Sequence, residues 1–332
     1  MKTIDIVVPA FNEEECLEAF YARLSAVIDA LPYRFRILFV DDGSDDRTAE
    51  LCLGFAQADA RVGLLRFSRN FGHQAALTAG LDEADADAVI TMDADLQHPP
   101  EVLPRFIEAW EGGAELISGV RSHAAEGGLF KRLTSPAFYR MLNMISPLSI
   151  TADSPDFRML DRKVVQAVRR VREQSRFLRG IYSWVGFRKA EIVYDEGRRS
   201  AGQTHYGTSD MFFLALAAVL SFSRAPLRLA TYLGLVVSTF AFGFGVYALI
   251  QNLVFQEVIR GWTSLAVLVS FLSGVQLVTL GVIGEYLGQV LDESKRRPLY
   301  LVADTNIPGL GPGAGDPDRA GAPPPTSQDG PT

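Results

Sequence analysis

An α/β domain with a mostly parallel sheet, followed by two membrane-crossing helices, is the architecture this 332-residue chain predicts. Three observations carry that expectation. Short apolar runs alternate with helix-like stretches in the N-terminal third. Acidic and polar clusters follow several of those runs. Two long charge-free segments lie toward the C-terminus.

The alternation sets the sheet. Ile4–Val8, Phe35–Val40, Val62–Phe67, Ala88–Met92 and Leu116–Val120 are strand-like, and helical patterns over Glu14–Leu31, Asp46–Ala58 and Gln74–Ala84 separate the first four. Strands spaced by helices pair in parallel and are covered on both faces. Such sheets bind ligands outside the carboxyl ends of their strands. The polar clusters fall there: Pro9-Ala10-Phe11-Asn12-Glu13, Asp41-Asp42-Gly43-Ser44 and Asp93-Ala94-Asp95. Ser44 with Asp45-Asp46 also suits a helix cap, a purely structural use. Neither G-x-G-x-x-G nor G-x-x-x-x-G-K-[ST] occurs, so dinucleotide and P-loop readings lose support.

The most informative residues are Asp93-Ala94-Asp95-Leu96-Gln97, directly after an apolar run. Carboxylates two apart share one face of a continuing strand and repel unless a cation joins them. A hard divalent ion with oxygen ligands does so, Mg²⁺ typically taking one or two carboxylates plus substrate phosphates. Lone His73 and His98 read as loop residues rather than ligands of such a site. Arg158 and Asp161 read as a local ion pair at a helix start.

The chain is 48% hydrophobic with a net charge of −7. Between Arg158 and Arg199, however, twelve Lys/Arg stand against five acids, a stretch suited to phosphates or anionic lipid. No nucleic-acid-binding pattern accompanies it. Cys16 and Cys52 do not make a disulfide framework. The N-terminus lacks a signal-peptide pattern, so the first domain is expected in the cytoplasm.

Leu229–Ile250 and Gly261–Gly284 carry no Asp, Glu, Lys or Arg over 22 and 24 residues. Each run exceeds the roughly 20 residues that cross a bilayer. Arg224 and Arg228 before them and Lys295-Arg296-Arg297 after them place both ends in the cytoplasm. Met211–Phe222 is apolar but too short to cross, which suits an interfacial helix. Gly281, Gly284 and Gly288 on one helix allow close packing of two copies, and a smooth lipid-facing stripe fits them too. From Ala303 onward seven Pro and six Gly in 30 residues predict a disordered tail. The expected division is therefore a cytoplasmic domain over 1–207 and an interfacial helix over 208–227. A transmembrane hairpin over 228–290, a juxtamembrane segment over 291–302 and a tail over 303–332 follow.

The motifs PAFNEEE, VDDGSDD, SRNFGHQAALTAGLD, DADLQHPPE, DFRMLDR, RFLRGIYSWVGF and RPLYLV stand in order ahead of or around the closing spans. Together they resemble the polyprenyl-phosphate glycosyltransferases of glycosyltransferase family 2, such as dolichol-phosphate mannose synthases and bactoprenol glucosyltransferases. The resemblance covers about Ile4 to Val302. It implies a GT-A, Rossmann-like fold and an inverting transfer of a hexose from a nucleotide sugar to a polyprenyl phosphate at the cytoplasmic leaflet. Glucose from UDP-glucose is the first expectation; GDP-mannose or a modified UDP-sugar remain alternatives.

By position, the resemblance assigns Pro9, Ala10, Asn12, Glu13 and Asp42 to the nucleoside, and Asp93, Asp95 and Gln97 to Mg²⁺ or Mn²⁺. Arg121, Lys131 and Arg199 would reach phosphates, and Asp156 would face the acceptor; Asp95 and Asp156 are the catalytic candidates. Two departures stand out: Ser154-Pro155 where relatives carry Thr-Gly, and His205 where they carry Lys. His205 would weaken a phosphate contact and make it pH-sensitive. They keep open a catalytically weak relative serving as a membrane scaffold or nucleotide-sugar sensor. A processive polysaccharide synthase would need a Q-x-x-R-W segment and more spans.

Overall fold

Strand formation begins at once: Thr3–Ala10 (β1) is buried along almost its whole length, as expected of a strand covered on both faces. The computed structural model describes residues 1–122, 156–174, 176–195, 225–254, 261–308 and 310. Around β1 lie Arg34–Asp41 (β2), Val62–Phe67 (β3) and Ala88–Thr91 (β4). Leu116–Arg121 (β5), Arg158–Asp161 (β6), Lys189–Tyr194 (β7) and Val302–Thr305 (β8) complete one eight-stranded sheet, ordered β7-β5-β6-β4-β1-β2-β3-β8. β1 pairs in parallel with β2 and β4, β2 with β3 and β5 with β7. β6 and β8 run antiparallel to their neighbours. The mostly parallel α/β expectation holds.

Helices Leu17–Asp29 (α1), Thr48–Ala58 (α2), His73–Glu83 (α3), Leu103–Glu111 (α4), Arg162–Arg169 (α5) and Leu178–Trp184 (α6) accompany the strands. Leu17, Phe20, Leu24 and Ile28 recur at helical spacing along α1 and are its buried residues. They join Ile4, Ile6 and Val8 in one core, whereas Val7, Leu38 and Val40 join Leu77 and Leu81 of α3 in another. Alternate residues of β1 thus feed opposite layers, the period-two rule of a strand. Gly80 allows this closeness, since a Cβ there would fall 2.1 Å from Val7 Cγ1.

Arg158 lies on β6 and not at a helix start, whereas Asp161 ends that strand at the start of α5, so the two do not share one helical turn as the ion-pair expectation required. Residues three apart on a strand face opposite sides. Arg158 is buried and donates to Ser118 Oγ at 2.6 Å, while Asp161 caps α5 by accepting from Lys163 N at 3.0 Å. A second correction concerns the tail: its first residues form β8, and Ile307 packs beneath Gly63 of β3.

The sheet and its helices, with the segment from Arg296 onward, make one compact unit; the long helices Ala225–Val254 (α7) and Trp262–Ser294 (α8) make another. Within α8, Phe271–Ser294 is long and apolar enough to cross a membrane by length and composition, and the apolar stretch Ala230–Phe244 of α7 is shorter. The expected interfacial helix at 211–222 lies outside the described residues.

Candidate active site

The strand ends bring the acidic clusters to one rim. After β4 the chain leaves the extended conformation, and Leu96 turns with a φ of 65°. Side-chain burial still alternates: Met92, Ala94, Leu96 and His98 are buried while Asp93, Asp95 and Gln97 are partly exposed. The expected common face therefore persists, made by a turn and not by a continuing strand.

Asp93 is the hub of this turn. Its backbone N–H donates to His98 Nδ1 at 2.9 Å, which fixes His98 as a neutral ring protonated on Nε2. His98 is fully buried and stacked on Phe157, and burial pushes its pKa down. The Asp93 carboxylate meets His73 Nε2 at 2.8 Å. Burial would raise the Asp93 pKa, but the facing His73 ring and the Arg179 guanidinium outweigh it and hold the carboxyl below its ordinary value. For His73, burial acts downward, and the carboxylates of Asp93 and Asp156 reverse it, leaving the pKa raised. Both histidines, expected as loop residues, thus belong to the site: His73 opens α3, and His98 props the Asp93 turn from beneath.

Asp156 comes to the same place from the start of β6. It is 3% exposed, and Thr91 Oγ1 donates to its carbonyl at 2.6 Å. Arg179 donates to its two carboxylate oxygens at 3.3 and 3.1 Å, Gln74 Nε2 reaches Oδ2 at 3.4 Å, and His73 Nδ1 lies 3.8 Å away. Gln74 Oε1 also accepts from Leu178 N at 3.0 Å, joining α3 to α6. Asp95 Oδ1 accepts from Gln97 N at 3.0 Å, and Arg121 Nη2 donates to Gln97 Oε1 at 3.2 Å. The sequence-predicted Asp93, Asp95, Gln97, Arg121 and Asp156 are therefore gathered around the end of β4. Lys131, Ser154-Pro155, Arg199 and His205 lie outside the described residues.

Beside this cluster, Asn12 accepts from Asp45 N through Oδ1 at 3.0 Å and donates its own N–H to Ser44 Oγ at 3.0 Å. Glu13 N donates to Thr48 Oγ1 at 2.8 Å, and Pro9 and Ala10 end β1 beside Val40 and Asp41. The Asp42 carboxylate accepts from Phe71 N at 2.7 Å and Gly72 N at 2.9 Å, pinning the turn before α3. An open cavity of about 500 Å³ lies between these turns, lined by Phe11, Gly43–Asp45, Arg66–Asn70, Ala303 and Asp304.

The glycosyl transferase family 2 profile matches residues 5–169, and a GtrB C-terminal hairpin profile matches 225–290. A bactoprenol glucosyl transferase of Shigella phage SfV is 42% identical over 90% of this chain and 97% of its own length. The chain belongs to glycosyltransferase family 2. As a glycosyltransferase of this family it is also 40% identical to a prophage bactoprenol glucosyl transferase homolog of Escherichia coli (strain K12), covering 90% and 98% of the two chains. Among solved structures, a glucosyl-3-phosphoglycerate synthase of Mycobacterium tuberculosis in complex with Mn²⁺ and UDP-glucose aligns over 66% of this chain and 78% of that one. Its identity is 18% and its TM-score 0.44.

What the sequence reading of this glycosyltransferase missed is the cationic half of the site. Arg179 and His73 sit inside the RFLRG and SRNFGHQ motifs, yet nothing in their local spacing marks them as partners of Asp156 and Asp93, 23 and 20 positions away.

Proposed function

We propose that this enzyme transfers a hexose, glucose from UDP-glucose as the leading candidate, to a polyprenyl phosphate at the cytoplasmic leaflet. Two features support the reading: the carboxylate–imidazole–guanidinium cluster at the β4 mouth, and relatives that carry bactoprenol in their names. The apolar runs within α7 and α8 would hold the enzyme at the membrane where such an acceptor resides, as two spans with both ends cytoplasmic.

The donor set suits a hard divalent cation. Asp93, Asp95 and Gln97 offer three oxygen-bearing side chains on the partly exposed side of one turn; among the described residues no group of three or more His, Cys, Asp or Glu is placed to hold a metal ion by itself. Mg²⁺ is held by one or two carboxylates together with substrate phosphates, and Mn²⁺ shares its preference for oxygen. When bound, the ion would neutralise the charge that builds on the departing nucleoside diphosphate. Phe11, Asn12, Ser44 and the 66–70 segment would take the nucleoside in the adjoining cavity. Arg121 would face a phosphate once freed from Gln97.

The reaction requires one displacement. An acceptor phosphate oxygen forms a bond to the anomeric carbon while the bond to the diphosphate oxygen breaks, and the nucleoside diphosphate leaves with that electron pair. The acceptor is a phosphate monoester with a second pKa of about 6, so it arrives largely deprotonated. A strong base is unnecessary. Asp156, with its oxygens already engaged by Arg179 and Gln74, fits an orienting role better than a proton-accepting one.

The test is a panel of nucleotide sugars given to the purified enzyme in detergent with Mg²⁺ and undecaprenyl phosphate. Release of the nucleoside diphosphate and the mass of the glycosylated lipid are measured. Absence of transfer from every donor, with nucleotide binding intact, would defeat this reading in favour of a sensor or scaffold.

A further inference from the structure

The segment that follows α8 returns to the sheet. β8 pairs antiparallel with β3 (Leu65 with Thr305, Arg66 with Asp304, Phe67 with Val302), and Ser68 N donates to Leu301 O at 3.0 Å. Side chains fasten it at both ends. Tyr300 stacks on Phe67 at 5.2 Å and its hydroxyl donates to Asp82 Oδ2 at 3.1 Å, where Arg172 also donates at 2.7 Å. Asn306 accepts from Leu64 N at 2.6 Å, and Thr305 Oγ1 donates to Leu64 O at 2.7 Å. Without this segment β3 would be an exposed sheet edge with unpaired backbone groups.

The same stretch of chain also faces the cavity. Ala303 and Asp304 line it together with Phe11 and Gly43–Asp45, and the end of β3 with the turn after it lines it from Arg66 to Asn70. Ala303 and Asp304 are exposed, whereas the neighbouring Val302 is buried. The chain therefore buries one residue under β3 and offers the next two to the opening. The cavity sits two to three strand steps from the β4 mouth, about 10–15 Å at the usual 4.8 Å strand spacing. That is a suitable reach from a nucleoside to its own diphosphate. A carboxylate at 304 repels phosphate and accepts from hydroxyl or N–H groups, which favours ribose or base over diphosphate at this end.

We propose that residues 300–307 are a wall of the donor nucleoside pocket, with Ala303 and Asp304 as donor-positioning residues, so that nucleotide binding and docking of this segment on β3 are coupled. The proposal rests on the cavity being the nucleoside site. Two consequences follow from linkage. A nucleotide that binds only the docked form must slow undocking in proportion to its saturation. A side chain that fills the opening from position 303 must weaken donor binding while leaving the β4 mouth untouched.

The experiment uses the full-length enzyme with UDP and UDP-glucose, or whichever pair the donor panel selects. Hydrogen exchange of the 302–307 amides is measured with and without nucleoside diphosphate. At 100 times Kd, exchange through undocking is expected to slow by up to about 100-fold. Ala303→Trp is expected to raise the donor KM and the nucleotide Kd at least tenfold, with kcat and acceptor KM within about twofold of wild type. Tyr300→Phe, which removes only the hydroxyl bond to Asp82, is expected to give a smaller rise in donor KM and faster exchange of the same amides. Wild-type nucleotide affinity in both variants, with no ligand effect on exchange, overturns the proposal while leaving the nucleoside reading of the rest of the rim intact. A lowered Tm with unchanged donor KM also overturns it, by reducing the segment to a structural cover. If the wild-type enzyme binds no nucleotide, the pocket reading itself falls, and this inference with it.

Discussion

The two acidic mouths of the rim use the same residue type to opposite ends. At the β4 mouth Asp93 is partly exposed, faces the His73 imidazole and the Arg179 guanidinium, and is held below its ordinary pKa. At the β2 mouth Asp41 and Asp42 are buried, and burial pushes both upward against the backbone amides and Arg66 that partly compensate. The first arrangement keeps negative charge available to a ligand; the second spends carboxylates on holding loops. Role follows from which partners the fold delivers, not from the aspartate itself.

That contrast can be broken from its active end first. Asp95→Ala is expected to lower the rate of nucleoside diphosphate release by at least about 100-fold, the scale of losing a group that acts on developing charge. An unchanged rate would remove the β4 mouth from the chemistry. Arg179→Ala should lower kcat by about 10- to 100-fold, as for lost support of a reacting group. It leaves Asp156 buried without its main cation, and because Arg179 is itself 42% exposed the stability loss should stay near 1–2 kcal/mol.

The loop-holding end answers to stability instead. Gly43 has a φ of +70°, and a Cβ there would fall 2.5 Å from the Arg69 carbonyl carbon. Gly43→Ala should cost about 1–3 kcal/mol or more, seen as a fall in Tm of several degrees. Asp41 provides the sign test. Its folded pKa exceeds its unfolded one, so the folded state binds the proton more tightly and stability declines as pH rises through that window. Asp41→Asn, which keeps the Oδ1 that accepts from Ser44 N, should therefore match or exceed wild-type stability at neutral pH and lose that advantage near pH 4. Asp59, outside the rim, gives the reverse case. Arg61 holds its pKa down to about 2, so its contribution of roughly 2 kcal/mol is complete above the ordinary carboxylate range and vanishes as pH falls through about 2. Acid titration of thermal stability should show that loss in wild type and not in Asp59→Asn.

Much of this comparison is legible in the sequence. The strand–helix alternation located the first five strands within a residue or two, because each run is apolar enough to be buried on both faces. Asp93, Asp95 and Gln97 were legible as one face because period-two spacing survives the turn that replaces the strand. β6, β7 and β8 were not legible. β7 is an edge strand with only Tyr194 buried, β6 is four residues long, and β8 stands beside a Pro/Gly-rich tail whose composition hides it. The second use of Asp42 was not legible, because a carboxylate at a strand end looks the same in sequence whether or not it also holds two amides.

By itself the sequence determined the fold class, the long apolar helices and the position of the acidic turn, since burial periodicity and charge-free length are local properties of the chain. The tertiary structure alone decided which cations confront those acids, and that a segment beyond the last long helix comes back to line the cavity. Contacts such as Arg179 with Asp156 or Tyr300 with Asp82 join residues 23 and 218 positions apart. No local propensity encodes such pairings; they exist because the sheet brings distant strand ends to one rim.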